Sequence, residues 1–314
     1  MRRKLRSPLA QRAGLDPVRI QLPDGHWSTI REHLHERLPR VSGARIDEKL
    51  RAGEFVGLDG PIGEDTPYTP GLHLWFHRDL PEEPHVPFDI PVVYRDERIL
   101  VVHKPHFLAT IPRGKHVRQT ALVRLREKHG LPELSPAHRL DRATAGLVLF
   151  VIERAHRGAY QTLFRDRKVR KVYEAIAPAD PALAAARTVR SRIVKERGTI
   201  AAFTEDGPPN SESRIELVES RDGLGRYRLE PATGRTHQLR LHMHELGVPI
   251  LGDPFYPELT EKPLEDFSKP LQLLAKTLRF TDPITGAEHA FTAPCGLLAW
   301  ESFAEWELTG SPGS

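Results

Sequence analysis

The chain has 314 residues, 39% apolar and 28% charged, which is long enough for two domains and ordinary for a globular protein. Its one cysteine, Cys295, excludes a disulfide framework and any zinc site built on cysteines. The formal charge of +4 is no signature of a nucleic-acid partner, because Arg2, Arg3, Lys4, Arg6 and Arg12 contribute +5, and +4 less +5 leaves −1 for the rest.

In chain order, residues 1–22 read as a basic tail. No run approaches the ~20 apolar residues of a membrane span, and "MRRKLRSPLAQR" lacks the apolar core of a signal peptide. The expected compartment is therefore the cytoplasm, with no membrane partner. Residues 23–80 form a first domain. Ile30, Leu34 and Leu38 recur at four-residue steps, as do Ile46 and Leu50, predicting two short helices, the second ended by Gly53. "EFVGLDG" reads as a strand and turn, and "LHLWFH" (72–77) as a strand. The proline-rich stretch around 81–91 reads as a linker.

From 88 to 308 the pattern becomes strand-rich: "PVVYRDERILVVHKP", "GLVLFVI", "KVYEAIA", "RIELVES" and "GRYRLEP" alternate with helical stretches near 118–129 and 154–166. That order predicts an α+β domain with a mixed, largely antiparallel sheet. The basic run "FRDRKVRKVY" (164–173) has the spacing of a solvated helix end. Residues 309–314 form a frayed tail.

Two stretches carry chemistry. In "SPAHRLDRATAGLVLF" (135–150), Asp141 lies between Arg139 and Arg142 in a loop feeding the apolar run 146–152, which has the composition of a buried strand. If 139–141 are extended, Arg139 and Asp141 point to one side, and the cation favours an ionised, acceptor-only carboxylate. That suits a nucleophile or an ion pair better than a proton-donating acid. No second carboxylate of glycosidase type is paired with it in sequence. In "PATGRTHQLRLHMHELGVPILGDPFY" (231–256), Thr236 is a plausible N-cap, Leu239, Met243 and Leu246 form an apolar stripe, and Gly247 a stop. His237, His242 and His244 are spaced by five and two, not the i, i+4 of a helical metal pair, so no metal is expected. Arg235, near the helix start, suits phosphate contact. Arg240, if buried, needs a carboxylate, for which Asp141 is a candidate.

These motifs carry a resemblance. "HRLDRATAGLVL" is similar to the HRLDxxTSG signature of the RluA-type RNA pseudouridine synthases, with Ala145 in place of serine. "VVYRDERILVVHKP", "KVRKVYEA" and "GRTHQLRLHMHELGVPILGDPFY" resemble further motifs of that family in its order, over most of 88–295. Residues 26–80 resemble a degenerate version of the small α/β RNA-binding domain that often precedes its catalytic domain.

The resemblance implies that Asp141 is the catalytic nucleophile, releasing uracil from ribose before the base turns and reattaches through its 5-carbon. It implies that Arg240 pairs with Asp141, that Arg139 occupies the space of the flipped-out nucleotide, and that Tyr173 stacks on the base and takes the last proton. A phenol is a poor base at its ordinary pKa of about 10, and a nearby arginine would lower that value by favouring the phenolate. Arg235, His237 and Gln238 would contact substrate. It implies isomerisation without cofactor, and a monomer acting on structured ribosomal or transfer RNA. A catalytically weak RNA-binding or assembly factor is the alternative. The chain departs from the family pattern at His103, at "PHFLAT" in place of proline-x-glycine-leucine, at Pro208 and at Leu274.

Overall fold

Two compact units, Met1–Glu82 and Glu83–Ser314, make up the computed structural model. It describes residues 5–39, 41–80, 82–260 and 262–309, so Arg2, Arg3 and Lys4 of the basic tail and 310–314 of the frayed tail lie outside the described residues.

In the first unit, β1 (Val18–Gln21) is followed by α1 (Ile30–Arg37), α2 (Gly43–Arg51) and β2 (His73–Phe76). The side chains of Thr29 and Ser42 cap the two helices by accepting from the amides of Glu32 and Arg45. Gly53, at φ +66°, follows the second helix in the left-handed conformation that glycine tolerates. Ile30, Leu34, Ile46, Leu50, Phe55 and Leu74 make the core. Two details differ from the sequence reading. Residues assigned to the tail form β1, which pairs antiparallel with β2 because Val18 and Ile20 alternate against that core. "EFVGLDG" is no strand: only Val56 pairs, in isolated bridges to Pro61 and Trp75.

The second unit begins inside the expected linker. Glu83 accepts from the amides of Val117, Arg118 and Gln119, and Val86 and Ile90 are buried in the unit's core. Then come β3 (Val92–Arg95), β4 (Ile99–Lys104), α3 (Ala121–His129), β5 (Ser135–Pro136), β6 (Ala145–Val151), α4 (Arg157–Arg165) and β7 (Arg170–Pro178). After a 3-10 turn follow β8 (Arg187–Val194), β9 (Phe203–Glu205), β10 (Ser211–Arg221), β11 (Leu224–Pro231), α5 (Gln238–Glu245), β12 (Leu273–Thr281) and β13 (Glu288–Thr292), with two short C-terminal helices. The strands form one sheet in the order β3-β4-β6-β12-β7-β11-β10-β8-β9, with β5 beside β6 and β13 beside β12.

Every pairing in this sheet is antiparallel except β6 with β12. The mixed, largely antiparallel sheet expected from the element order is thus present. All seven residues of β6 are buried, so the apolar run after Asp141 is a central strand and anchors the loop before it. Gly146 stands where β6 meets β12 at φ +117°, and a Cβ there would clash with the Ala275 backbone. Among the described residues no helix is long and apolar enough to cross a membrane.

Candidate active site

Asp141 lies in the loop between β5 and β6, and the loop is pinned from two sides. The Thr110 hydroxyl accepts from the Leu140 amide (3.1 Å) and donates to the Leu140 carbonyl (2.8 Å). The wholly buried Lys104 ammonium donates to the carbonyls of Pro105 (2.8 Å), Leu108 (2.7 Å) and Arg142 (3.4 Å). Burial pulls its pKa down to about 7, against the opposing pull of the Asp141 charge. His106 Nδ1 donates to the Ala143 carbonyl at 2.7 Å. A carboxylate on a loop so held keeps one position, while its side chain stays 34% exposed.

Facing it is a cleft of about 600 Å³, lined by six arginines and lysines (Arg139, Arg165, Arg167, Lys171, Arg235 and Arg240) and by a single carboxylate, Asp141. Arg139 and Asp141 both line the cleft, together with Leu140 between them. Arg139 is exposed and has no ion-pair partner among the described residues. The run 164–171 is therefore more than a solvated helix end, because Arg165, Arg167 and Lys171 line the cleft. His138 stacks on Phe164 at 4.2 Å between ring centroids and accepts the Leu149 amide on Nε2; burial keeps it neutral, with a pKa of about 3.

The opposite wall comes from the segment between β11 and α5. Its helix starts one residue later than expected: His237, at φ +57°, is the N-cap in place of Thr236 and offers no side-chain cap. Gln238 does not fit the substrate-binding role assigned to it. Its Oε1 accepts from the Thr233 hydroxyl (2.7 Å) and the Arg235 amide (3.0 Å), and its amide nitrogen donates to the Glu212 carbonyl and the Ser213 hydroxyl. Those bonds occupy its capacity in bracing the wall. Arg235 is exposed, its Nε donating to the Asn210 carbonyl at 3.1 Å.

The expected Arg240–Asp141 pair is replaced by another. Arg240, 2% exposed, donates from Nε to Asp253 Oδ2 at 2.7 Å and from Nη2 to Oδ1, and lies over the rings of Phe255 and Tyr256. Asp253 also accepts from the amides of Phe255 and Tyr256. The turn after α5 returns Asp253 to the helix, so the buried arginine finds its carboxylate within its own motif. Among the described residues the basic group within ion-pair distance of Asp141 is His237, with Nε2 4.0 Å from Oδ2, beyond hydrogen-bond reach. Burial, then Arg240, lower the His237 pKa to about 4.

Tyr173, on β7, lines the cleft with its ring half-buried. Burial, and then the Asp141 charge, raise its pKa, and the lowering by a nearby arginine expected from the sequence is not among the causes. The phenol therefore stays protonated. The motif histidines are also accounted for: His242 Nε2 meets the hydroxyls of Ser191 and Ser211, and His244 stacks on Tyr256. The sequence reading missed Asp253, Tyr256 and Lys195. The lysine, after β8, feels the Asp141 charge electrostatically.

Two of the family departures lie on the strands that flank β6. His103 meets the Cys295 sulfur at 3.4 Å, and Leu274 is buried in the core opposite Ala145. At "PHFLAT", Phe107 occupies the family's glycine position at φ +62°, where an L side chain is strained. Its ring packs against Phe88, Phe267 and the Arg142 guanidinium.

The RNA pseudouridylate synthase family matches residues 98–245. A Haemophilus influenzae protein named dual-specificity RNA pseudouridine synthase RluA is 32% identical over 228 residues, covering 68% of this chain and 94% of that protein. The Escherichia coli K12 protein of the same name is 33% identical over 217 residues, covering 68% and 95%. The solved structure of human RNA pseudouridylate synthase domain containing 1 shares the fold, with a TM-score of 0.54 and 24% identity over 71% of this chain and 96% of that one. The chain belongs to the RNA pseudouridylate synthase family, in its RluA-type branch.

Proposed function

We propose that this isomerase converts uridine to pseudouridine at specific sites in structured ribosomal or transfer RNA, with Asp141 as nucleophile. The observation that carries the reading is the single carboxylate, held in place and partly exposed, in a cleft whose other charged side chains are arginines and a lysine. Asp141 attacks C1′ as the bond from C1′ to N1 of the base breaks. The freed base turns, its C5 bonds to C1′, and the carboxylate leaves unchanged. The proton on C5 is lost and N1 gains one, so the mass is conserved.

Arg139 stands at the cleft mouth to take the place of the displaced nucleotide, and the Tyr173 ring supports stacking on the target base, worth about 1–3 kcal/mol. Arg240 acts through Asp253 to hold the wall against which the ribose rests. Arg167 and Arg235 suit phosphate contacts. We read the first unit, which resembles the family's small RNA-binding domain, as an appended unit, and the protein as a cytoplasmic monomer. The test maps pseudouridine across total RNA incubated with the wild-type chain and with Asp141→Asn. The proposal expects new sites with the first only. A chain that binds RNA and leaves every uridine unchanged is the assembly factor instead.

A further inference from the structure

His237 has no part in the steps above, yet it faces the nucleophile from a strained backbone. The proton on its ring can be assigned from the network. Tyr256 Oη lies 2.6 Å from the Ala202 carbonyl oxygen, a contact that requires the tyrosine proton between them. The same oxygen accepts from the Ala202 amide at 3.1 Å. His237 Nδ1, 3.0 Å away, must then be the donor to Tyr256, which leaves Nε2 bare. Burial keeps the ring neutral at ordinary pH and the tyrosine protonated, with a pKa of about 12. Phe255 stacks on the imidazole and fixes its plane. Two hydrogen-bond acceptors, Nε2 and Asp141 Oδ2, therefore face each other at 4.0 Å with no proton between them.

Such an arrangement is completed by a donor from the substrate. A carboxylate displacing a base from C1′ approaches on the sugar face opposite the base, and in ribose that face carries the 2′-hydroxyl. The neighbour of the attacking oxygen is therefore the position that hydroxyl takes. Resting on the reading of Asp141 as the nucleophile at C1′, we infer that His237 Nε2 accepts the 2′-hydroxyl of the target nucleotide, and that Tyr256 is the positioning residue that keeps Nε2 free to do so. Drawing the hydroxyl proton to the imidazole leaves the carboxylate lone pair for attack. It also makes the site demand ribose over deoxyribose, since the 2′-hydroxyl is what separates the two.

The test uses the full chain and one RNA site modified by it, synthesised with either uridine or 2′-deoxyuridine at that position, under single turnover. With the wild type the deoxy substrate should react about five- to tenfold more slowly, the worth of one hydrogen bond. His237→Asn tolerates the left-handed backbone and leaves a side-chain N–H near Tyr256 while deleting the Nε2 edge. Its rate on the ribose substrate should fall and the ribose-to-deoxyribose ratio collapse to within about twofold of one. Tyr256→Phe should shrink the ratio as well, which a purely structural defect would not do, because it slows both substrates alike. No wild-type penalty, or an undiminished ratio in either variant that folds, overturns the inference. Conversion of the ribose substrate by Asp141→Asn at an undiminished rate overturns the reading of Asp141 instead.

Discussion

In the first unit Arg31 is gripped by Asp47 through two bonds of 2.7 Å, and Arg45 by Asp79 through two of 2.9 Å. Lys49 reaches Glu54 and Asp79, and Arg51 reaches Glu64. Around the cleft of the second unit, Arg139, Arg167, Lys168, Lys171 and Arg235 have no carboxylate within ion-pair distance among the described residues. The two regions draw on the same residue types. The first unit spends Arg31, Arg45, Lys49 and Arg51 on its own acids, whereas the cleft holds these five open and pairs Arg165 with Asp166 and Arg240 with Asp253. A count of charges, close to zero beyond the first twelve residues, hides this division, and an RNA backbone responds to the open set alone. The neutralised helix α2 also weakens the case for phosphate contacts through the small unit.

The strongest way to break this contrast is through the acids. Asp141→Asn keeps the side chain's shape and removes its nucleophilicity, so pseudouridine formation should fall to background while RNA affinity stays within about twofold. Asp47→Asn, which frees a cation in the first unit, should leave turnover intact. Substantial product from Asp141→Asn, measured by mapping the modified site, removes Asp141 from the role of nucleophile.

The ion pairs give the next largest effect. Arg240 and Asp253 are 2% and 1% exposed at their side chains, and Asp253→Asn leaves a buried guanidinium without its counter-charge. A loss of about 3–5 kcal/mol in unfolding free energy is expected. Arg45 and Asp79 are 32% and 49% exposed, and Asp79→Asn should cost less than about 1 kcal/mol. Denaturant midpoints of the two variants measure the difference, and equal losses would erase the distinction between buried and exposed pairs.

Salt dependence sharpens the comparison of cations directly. Arg167→Ala should flatten the slope of log affinity against log salt by roughly 0.7, one single-strand phosphate contact. Arg31→Ala should leave that slope unchanged. A change confined to Arg31→Ala would move the RNA contact to the first unit.

Much of this site is legible in the sequence where a local rule suffices. Asp141 reads as a presented carboxylate because a period-free apolar run follows it, and β6 is indeed buried along its whole length. Other features depend on contacts that spacing does not encode. The partner of Arg240 lies thirteen residues on and meets it only because a turn doubles the chain back. Gln238 looks like a recognition residue, yet its four bonds all run to its own chain. The strand Val18–Gln21 spans four residues beside a basic stretch, too short for its alternation to stand out. Gly146 is required by the approach of Ala275, which lies more than a hundred residues away.

The smallest expected effect concerns Tyr173, and it separates two uses of one side chain. Stacking needs only the ring, while taking the final proton needs a phenolate. Burial and the Asp141 charge both raise the Tyr173 pKa above its usual value of about 10, which disfavours the phenolate at neutral pH. When the last proton leaves C5, Asp141 has already been released as a carboxylate, so that second influence is again in force. Tyr173→Phe should accordingly bind RNA within about twofold of wild type and still complete turnover, whereas Tyr173→Leu should lose the stacking contribution of about 1–3 kcal/mol. Single-turnover analysis of the phenylalanine variant distinguishes the two uses. Accumulation of a species whose base is reattached through C5 but still protonated there would return the proton-acceptor role to the hydroxyl.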